Sequence, residues 1–228
     1  MSLDDAVAAE HRPPVSEPAV LGTRAPVLLL DEPLGHLDAS QRQRVRRELK
    51  LLQREFGYTT IVVTHDQSEA MTLSDRMAVM DDGVIQQFGT PDEIFDDPAN
   101  LFVANFVGEP AINLFEGTVI RDGGRVLVKI VDGGVLETAV TSAKDGQTVT
   151  VGVRPQDAFL APGIKGTVFV YEDLMEYGLA RLDVLGIDKR VVVQTMEGAD
   201  LRPGDEAEFS VSPHLVYLFD PADGARIR

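Results

Sequence analysis

The stretch VLLLDEP, residues 27–33, restricts the fold more than any other part of the sequence. Its four apolar residues predict a buried β-strand over 27–30, followed by Asp31 and Glu32 before Pro33 stops the strand. Adjacent carboxylates at the end of a buried strand must be hydrated, paired or bound to a metal. This layout suits a nucleotide triphosphatase in which Asp31 faces a hydrated Mg²⁺ and Glu32 faces an attacking water. An ordinary acidic turn at a strand end explains the same residues without chemistry.

The residues that follow alternate between helical and strand patterns. We predict a helix over 39–56 that ends at Gly57, a strand over 59–64, a short helix near 67–73 and a strand over 76–80. Thr90, Pro91 and Glu93 form the capping-box pattern of a further helix. Strand–helix–strand alternation predicts a parallel sheet with covering helices.

Four motifs in this region resemble, in order, the second half of the ATPase domain of ABC transporters. VLLLDEP resembles the Walker B strand, GHLDA at 35–39 the D-loop, IVVTHD at 61–66 the switch strand, and residues 75–98 the closing hairpin and helix of importer ATPases. The resemblance implies a partial RecA-like α/β layer, a remnant of the P-loop NTPase fold. It further implies that Asp31 serves Mg²⁺ through water, Glu32 is the general base, His65 contacts the γ-phosphate and Asp38 signals across a dimer interface.

Structural explanations exist for two of these residues. Asp38 precedes the predicted helix and can serve as its N-cap whatever else it does. A single histidine after a strand, such as His65, is commonly structural. Both alternatives stay open at the level of sequence.

No phosphate loop of the form G-x-x-x-x-G-K-[ST] occurs in the 228 residues. The family's glutamine loop and LSGGQ-type signature are also absent before the Walker B strand, where residues 1–25 are rich in Ala, Pro and acidic residues and predict a disordered tail. Phosphoryl transfer depends on positioning and electrostatics. We therefore expect Mg-ATP to bind in a full-length family member, and this chain alone neither to bind it productively nor to hydrolyse it. We also expect a weak sheet with an exposed edge, because the family's first strands are missing.

From about residue 108, short alternating strands replace the helical spacing. We predict strands at 115–120, 125–131, 135–139, 148–153, 166–172, 178–184, 190–195, 206–211 and 215–219, which together indicate a small closed or nearly closed barrel. Clean alternation at 148–153 puts Val149, Val151 and Val153 on one buried face.

This second region resembles the TOBE domain of sugar-importer ATPases of the maltose and glycerol-phosphate type. NLFEGTV at 113–119, VGVRPQD at 151–157, residues 166–178 and residues 201–224 carry the resemblance. It implies an all-β, OB-like regulatory barrel that pairs two ATPase subunits and receives regulatory proteins. The predicted organisation is a tail (1–25), a truncated ATPase domain (26–107) and a TOBE domain (108–228).

Candidate functional residues on the turns of these motifs are Arg154, Glu172, Glu176 and Asp220. The alternative for Arg154 is a structural role, in which it ties down a loop. Glu172, Asp173 and Glu176 are close enough to bind a cation through oxygen ligands, or to form a solvated loop. Separately, we interpret three aromatic residues as packing residues that join the domains: Phe102, Phe106 and Phe115.

Composition excludes several classes of function. Lys and Arg number 21 against 37 Asp and Glu, and the net charge of −16 disfavours nucleic-acid binding. Cysteine is absent, which excludes disulfides and thiolate metal sites. The one basic cluster, at Arg42, Arg44, Arg46, Arg47 and Lys50, is interpreted as a solvated helix face. No apolar run reaches the length of a membrane span.

Three hypotheses follow from the sequence. The first is a component of an ABC importer, cytoplasmic and peripheral on the inner membrane face, with transmembrane subunits, a second copy and a regulatory protein as partners. The second is a stand-alone module that binds an oxyanion or a small sugar in the barrel. The third is a structural dimerisation module without chemistry.

Overall fold

The computed structural model describes residues 27–35, 37–57, 59–130 and 134–228. The tail expected over 1–25 lies outside these residues, as does His36 of the GHLDA motif. The described residues fall into two compact units that divide between Glu69 and Ala70. Most regular structure is β, with few helices, and no described helix is long and apolar enough to cross a membrane.

The first unit is built from two parallel strands and the helix between them. Strand β1 (Val27–Asp31) pairs with β2 (Thr59–Val63), and helix α1 (Ala39–Phe56) connects them; α2 (Gln67–Leu73) begins after β2. These elements confirm the predicted helices to the residue and the strands to within one residue. The prediction of a buried strand over 27–30 is wrong, however, since no residue of β1 is buried: Val27 and Leu29 are 44% and 71% exposed, and Leu28 and Leu30 are partly exposed.

Helix α1 begins and ends as local chemistry requires. The Asp38 side chain accepts a hydrogen bond from the Gln41 amide, which satisfies one of the free N–H groups of the first turn. Gly57 has φ +64° and donates its amide to the Gln53 carbonyl, the left-handed ending that glycine adopts without steric cost.

The second unit begins with a hairpin and two short helices. Strands β3 (Met77–Asp81) and β4 (Val84–Gly89) pair antiparallel, and α3 (Pro91–Asp96) follows with the predicted capping box between Thr90 and Glu93. Helix α4 (Leu101–Phe106) was not predicted. Its N-cap is Asn100, whose side chain accepts from the Val103 amide.

The remaining residues form two antiparallel sheets. The first has the order β14-β13-β8-β5-β6-β7, with β5 (Asn113–Asp122), β6 (Arg125–Ile130), β7 (Gly134–Thr138), β8 (Thr148–Val153), β13 (Tyr217–Phe219) and β14 (Arg226–Ile227). The second has the order β11-β10-β9-β12, with β9 (Ala158–Asp173), β10 (Tyr177–Asp183), β11 (Val191–Met196) and β12 (Glu206–Val211).

Both sheets contribute to one apolar core. Val149, Val151 and Val153 are fully buried in it, as their alternation predicts, and Phe209 and Leu182 enter from the other sheet. Phe115 belongs to this core and Phe102 packs partly buried in a smaller cluster, whereas Phe106 is 42% exposed. The Phe106 ring nevertheless stacks on that of Phe102, with 5.6 Å between the ring centroids, so all three residues pack as interpreted, whereas a role in joining the domains stays a prediction.

Candidate functional site

The parallel pairing of β1 and β2 brings the predicted site residues to one edge. Asp31 is in register with Val63, and the Glu32 amide donates to the Val63 carbonyl at 2.8 Å. Because parallel strands end at the same edge, Glu32 and His65 leave their strands side by side. Glu32 adopts φ +45°, a conformation in which a non-glycine residue is uncommon.

Glu32 and His65 are in direct contact. The Glu32 Oε1 atom lies 3.1 Å from Nδ1 of His65, with 54% and 76% of the two side chains exposed. An ionised carboxylate can only accept, so in a pair with ionised Glu32 the donor is Nδ1–H of His65. Within the described residues, the second carboxylate oxygen of Glu32 and Nε2 of His65 make no hydrogen bond, and both can meet a substrate or water.

The other two predicted site residues, Asp31 and Asp38, take no part in the contact between Glu32 and His65. The Asp31 side chain is exposed and makes no hydrogen bond or ion pair within the described residues. Asp38 is the N-cap of α1, and its bonds from the Gln41 amide and the Ser40 hydroxyl lower the pKa of its carboxyl group. The structural explanation of Asp38 thus holds, and its role at a dimer interface stays a prediction.

A magnesium ion held by protein ligands alone does not fit this edge. No group of three or more metal-ligating side chains occurs in the parts of the chain that the structure describes. Mg²⁺ commonly keeps several waters and takes one or two carboxylates plus substrate phosphates. The unpaired carboxylate of Asp31 fits that smaller role.

The turn that carries His65 contains a network that the sequence did not predict. The Thr64 hydroxyl donates to Glu69 Oε2 at 2.7 Å and accepts from the Asp66 amide, while Asp66 Oδ1 accepts from the Glu69 amide. Glu69 is only 2% exposed. The pattern Asp66-x-x-Glu69 at the start of α2 is the capping signal that could have revealed half of this network.

The basic cluster of α1 is not a uniformly solvated face, so that interpretation is wrong in part. Arg46 and Arg42 both approach Asp66 of the His65 turn. Arg44, by contrast, pairs with Glu48 one turn away with both side chains more than half exposed. The helical pattern alone does not distinguish these arginines, because Asp66, the partner of Arg42 and Arg46, lies outside the helix.

Arg154 is the most enclosed charged residue among those described in the second unit, with 1% exposure. Its guanidinium donates to the carbonyls of Val107 at 2.8 Å and Phe95 at 2.6 Å and lies 3.8 Å from the centre of the Phe95 ring. These carbonyls lie at the C-terminal ends of α4 and α3, where backbone acceptors lack helical partners. Burial lowers the pKa of Arg154. The interpretation of Arg154 as a residue that ties down chain segments fits this geometry.

The acidic candidates of the second unit also have structural partners. Glu172 pairs with Arg181 at 3.2 Å, Asp173 accepts from the Met175 amide, and Asp220 accepts from the Ala222 amide in a local turn. Glu176 is exposed. These contacts describe turns and surface pairs and bring no cation ligands together.

A shallow cleft between α4, β5 and the β10–β11 loop is a possible ligand site in the second unit. Its volume is about 100 Å³, and it is lined by Asn105, Ile112, Ile187, Lys189 and Arg190 among others. Ligand pockets commonly enclose about 300–1,000 Å³. The cleft is therefore small for a sugar, and its size leaves the oxyanion form of the second hypothesis untested.

Comparison with known families identifies part of the second unit. The sequence model described as "MalK OB fold domain" matches residues 108–158. The two-sheet region thus contains an OB fold, as the TOBE resemblance implies. One solved structure, of the cytoplasmic molybdate-binding protein ModG, aligns with 48% of this chain and 96% of its own chain at 20% identity and a TM-score of 0.40.

Curated relatives match most of the chain. The trehalose/maltose import ATP-binding protein MalK of Thermococcus litoralis is 39% identical over 215 residues, covering 88% of this chain and 57% of that protein. The sn-glycerol-3-phosphate import ATP-binding protein UgpC of a Ruegeria species is 39% identical, with shares of 88% and 56%. The alpha-glucoside transport ATP-binding protein AglK of Rhizobium meliloti is 38% identical, with shares of 85% and 56%. The chain spans little more than half the length of these relatives.

Proposed function

Since this chain is homologous over most of its length to ATP-binding proteins of sugar and glycerol-phosphate importers, we propose that it supplies the second half of the ATPase domain and the regulatory barrel of such a subunit. In this role β1, α1 and β2 belong to a RecA-like layer. The transported solute is a sugar or a related compound. The subunit lies on the cytoplasmic face of the membrane against transmembrane subunits, pairs with a second copy and receives a regulatory protein on its barrel.

The observation that carries this proposal is the contact between Glu32 and His65. A general base must reach the water it deprotonates, and a carboxylate oxygen of Glu32 is free to do so while the other holds His65. In this role a His65 ring protonated at both nitrogens would donate Nε2–H to the γ-phosphate, and Asp31 would serve the metal through water. Mg-ATP, when bound, supplies the phosphoryl group and the charge that the metal neutralises.

The chain by itself lacks a sequence that cradles phosphates, so we expect no productive nucleotide binding by residues 1–228 alone. Isothermal titration with Mg-ATP tests this expectation directly. Absence of heat agrees with it. Micromolar binding would contradict it and would require a nucleotide site outside the Walker-type motifs.

A chimera tests whether the site residues are competent for hydrolysis. Residues 27–228 of this chain are joined to the part of the Thermococcus litoralis protein that this chain does not match, and ATP turnover is measured. We expect turnover that falls by about 100-fold or more in Glu32→Gln, since general bases contribute about 10²–10⁴-fold. Glu48→Gln is the matched control, because the ion pair of Glu48 in the described part of the chain is with Arg44 on the surface of α1.

Two results of the chimera experiment would refute the proposed role of Glu32. One is turnover that survives Glu32→Gln unchanged. The other is a chimera that binds Mg-ATP but hydrolyses it no faster than its Glu32→Gln variant.

A further inference from the structure

Two arginines of α1 contact Asp66 in the turn that carries His65. Arg46 Nη2 donates to Asp66 Oδ2 at 3.3 Å, and Arg42 Nη1 lies 3.7 Å from the same oxygen. Only 17% of the Arg46 side chain and 28% of the Asp66 side chain are exposed. Arg46 Nε has no hydrogen-bond partner within the described residues. Asp66 is therefore the group that compensates a largely enclosed charge, which distinguishes this pair from a surface ion pair.

Arg42 also reaches the loop that precedes α1. Its Nε donates to the Leu37 carbonyl at 2.9 Å, one residue before Asp38. A single guanidinium thus contacts the loop of Asp38 and approaches the turn of His65. A planar guanidinium with donors on fixed directions is suited to such a double contact.

The backbone around His65 is held from both sides. Thr64 accepts from the Asp66 amide at 3.0 Å, and Asp66 Oδ1 accepts from the Glu69 amide at 2.9 Å. The imidazole itself is 76% exposed, and its one described hydrogen bond is to Glu32. The orientation of the ring toward Glu32 therefore depends on the backbone that carries it, and that backbone depends on Asp66.

We propose that Arg42, Arg46 and Asp66 form a clamp that positions His65 against Glu32 and links the His65 turn to the loop of Asp38. Its use in hydrolysis rests on the proposed function, whereas the clamp is a property of the described residues alone. The two oxygens of the Asp66 carboxylate have different partners. Oδ1 accepts from the Glu69 amide at the start of α2, and Oδ2 contacts the arginines of α1. A displacement of the Asp38 loop is passed through Arg42 to the turn of His65.

The tautomer of the His65 imidazole can be measured without nucleotide and tests whether the clamp positions the ring. In the full 228-residue chain, ¹⁵N spectra of the imidazoles in alkaline buffer, where imidazoles are neutral, distinguish Nδ1–H from Nε2–H. The signal of His65 among the four histidines is assigned with His65→Gln. We expect Nδ1–H in the wild type, loss of that preference in Arg46→Met and Asp66→Asn, and its recovery in Arg46→Lys.

Asp66→Asn guards against misfolding, because asparagine keeps the acceptor that begins α2. Arg44→Met is the matched control, since Arg44 lies on the same helix and pairs with Glu48. An unchanged His65 spectrum in both Arg46→Met and Asp66→Asn overturns the positioning role. An equal change in Arg44→Met overturns it as well, because the effect would then belong to helix charge in general.

Backbone amide spectra test the link to Asp38. We expect the amides of Leu37, Asp38 and Gln41 to shift in Asp66→Asn and Arg42→Met and to stay in place in Arg44→Met. If Asp66→Asn leaves the amide chemical shifts of the Asp38 loop unchanged, the link between this loop and the His65 turn is refuted. Both readouts are independent of ATP, so a chimera that fails to hydrolyse ATP leaves the clamp standing, and a failed clamp leaves the proposed function standing.

Discussion

Replacing Arg154 by methionine tests the tie between the helices and the sheets of the second unit. Methionine keeps much of the length of the side chain but removes the donors to Phe95 and Val107. A hydrogen bond from a charged donor contributes about 1.5–3 kcal/mol, and stacking of a guanidinium on an aromatic ring contributes about 0.5–2 kcal/mol.

The same substitution also removes the free-energy cost of burying a charge, which offsets part of the lost stability. Burial lowers the pKa of Arg154, which shows that the charged form is disfavoured in its site, and Tyr217 opposes that shift. Burying an ion costs several kcal/mol, so we expect a net destabilisation of about 3 kcal/mol rather than the full value of the lost contacts. For a unit of this size, about 3 kcal/mol lowers Tm by about 6–12 °C.

Urea and thermal unfolding followed by circular dichroism measure this change. Arg202→Met is the control, since Arg202 is 76% exposed and its ion pair with Asp200 is on the surface; we expect about 0.5 kcal/mol or less. Arg154→Lys retains the charge but cannot form the same planar double contact, and its stability should lie between those of the wild type and Arg154→Met. A loss in Arg154→Met that equals the loss in Arg202→Met would refute the reasoning.

Substitutions at three further positions test local features of the second unit by the same unfolding measurements. Thr90→Ala removes the acceptor of the capping box and should cost about 1 kcal/mol, whereas Thr90→Ser should be close to neutral; equal losses in both would contradict the capping role. Met175 is 76% exposed at φ +72°, so Met175→Gly should stabilise the unit by up to about 1 kcal/mol, and a destabilisation would show that its side chain matters. Burial raises the pKa of Asp157, so the native state binds the proton of this carboxyl group more tightly than the unfolded state does. The free energy of unfolding therefore falls as the pH rises from the unfolded pKa to the raised native pKa. Asp157→Asn should remove that fall, and an unchanged pH profile of stability would exclude Asp157 as its source.

Local sequence signals predicted those elements whose ends are decided by neighbouring residues. Helix α1 lies where its apolar spacing, Asp38 and Gly57 put it, and the capping box begins α3 at the predicted residue. Strand β9 was predicted about eight residues too short, because Pro162 and Gly163 resemble a turn. In the structure they lie in a bulge, since Leu160 pairs with Phe209 and Lys165 with Glu208.

The sequence by itself determined the order of the helices and most strands, the buried alternation of Val149, Val151 and Val153, and the likeness to importer ATPases, because these depend on period and on motifs a few residues long. The tertiary structure alone decided that Glu32 meets His65 and that Arg154 joins two helix ends. Arg46 and Arg44 show the reason most directly: both are arginines of one helix, but Arg46 meets Asp66, 20 residues away, across the crossover between parallel strands. Such pairings are properties of the folded chain, since no local pattern encodes which distant group a long side chain reaches.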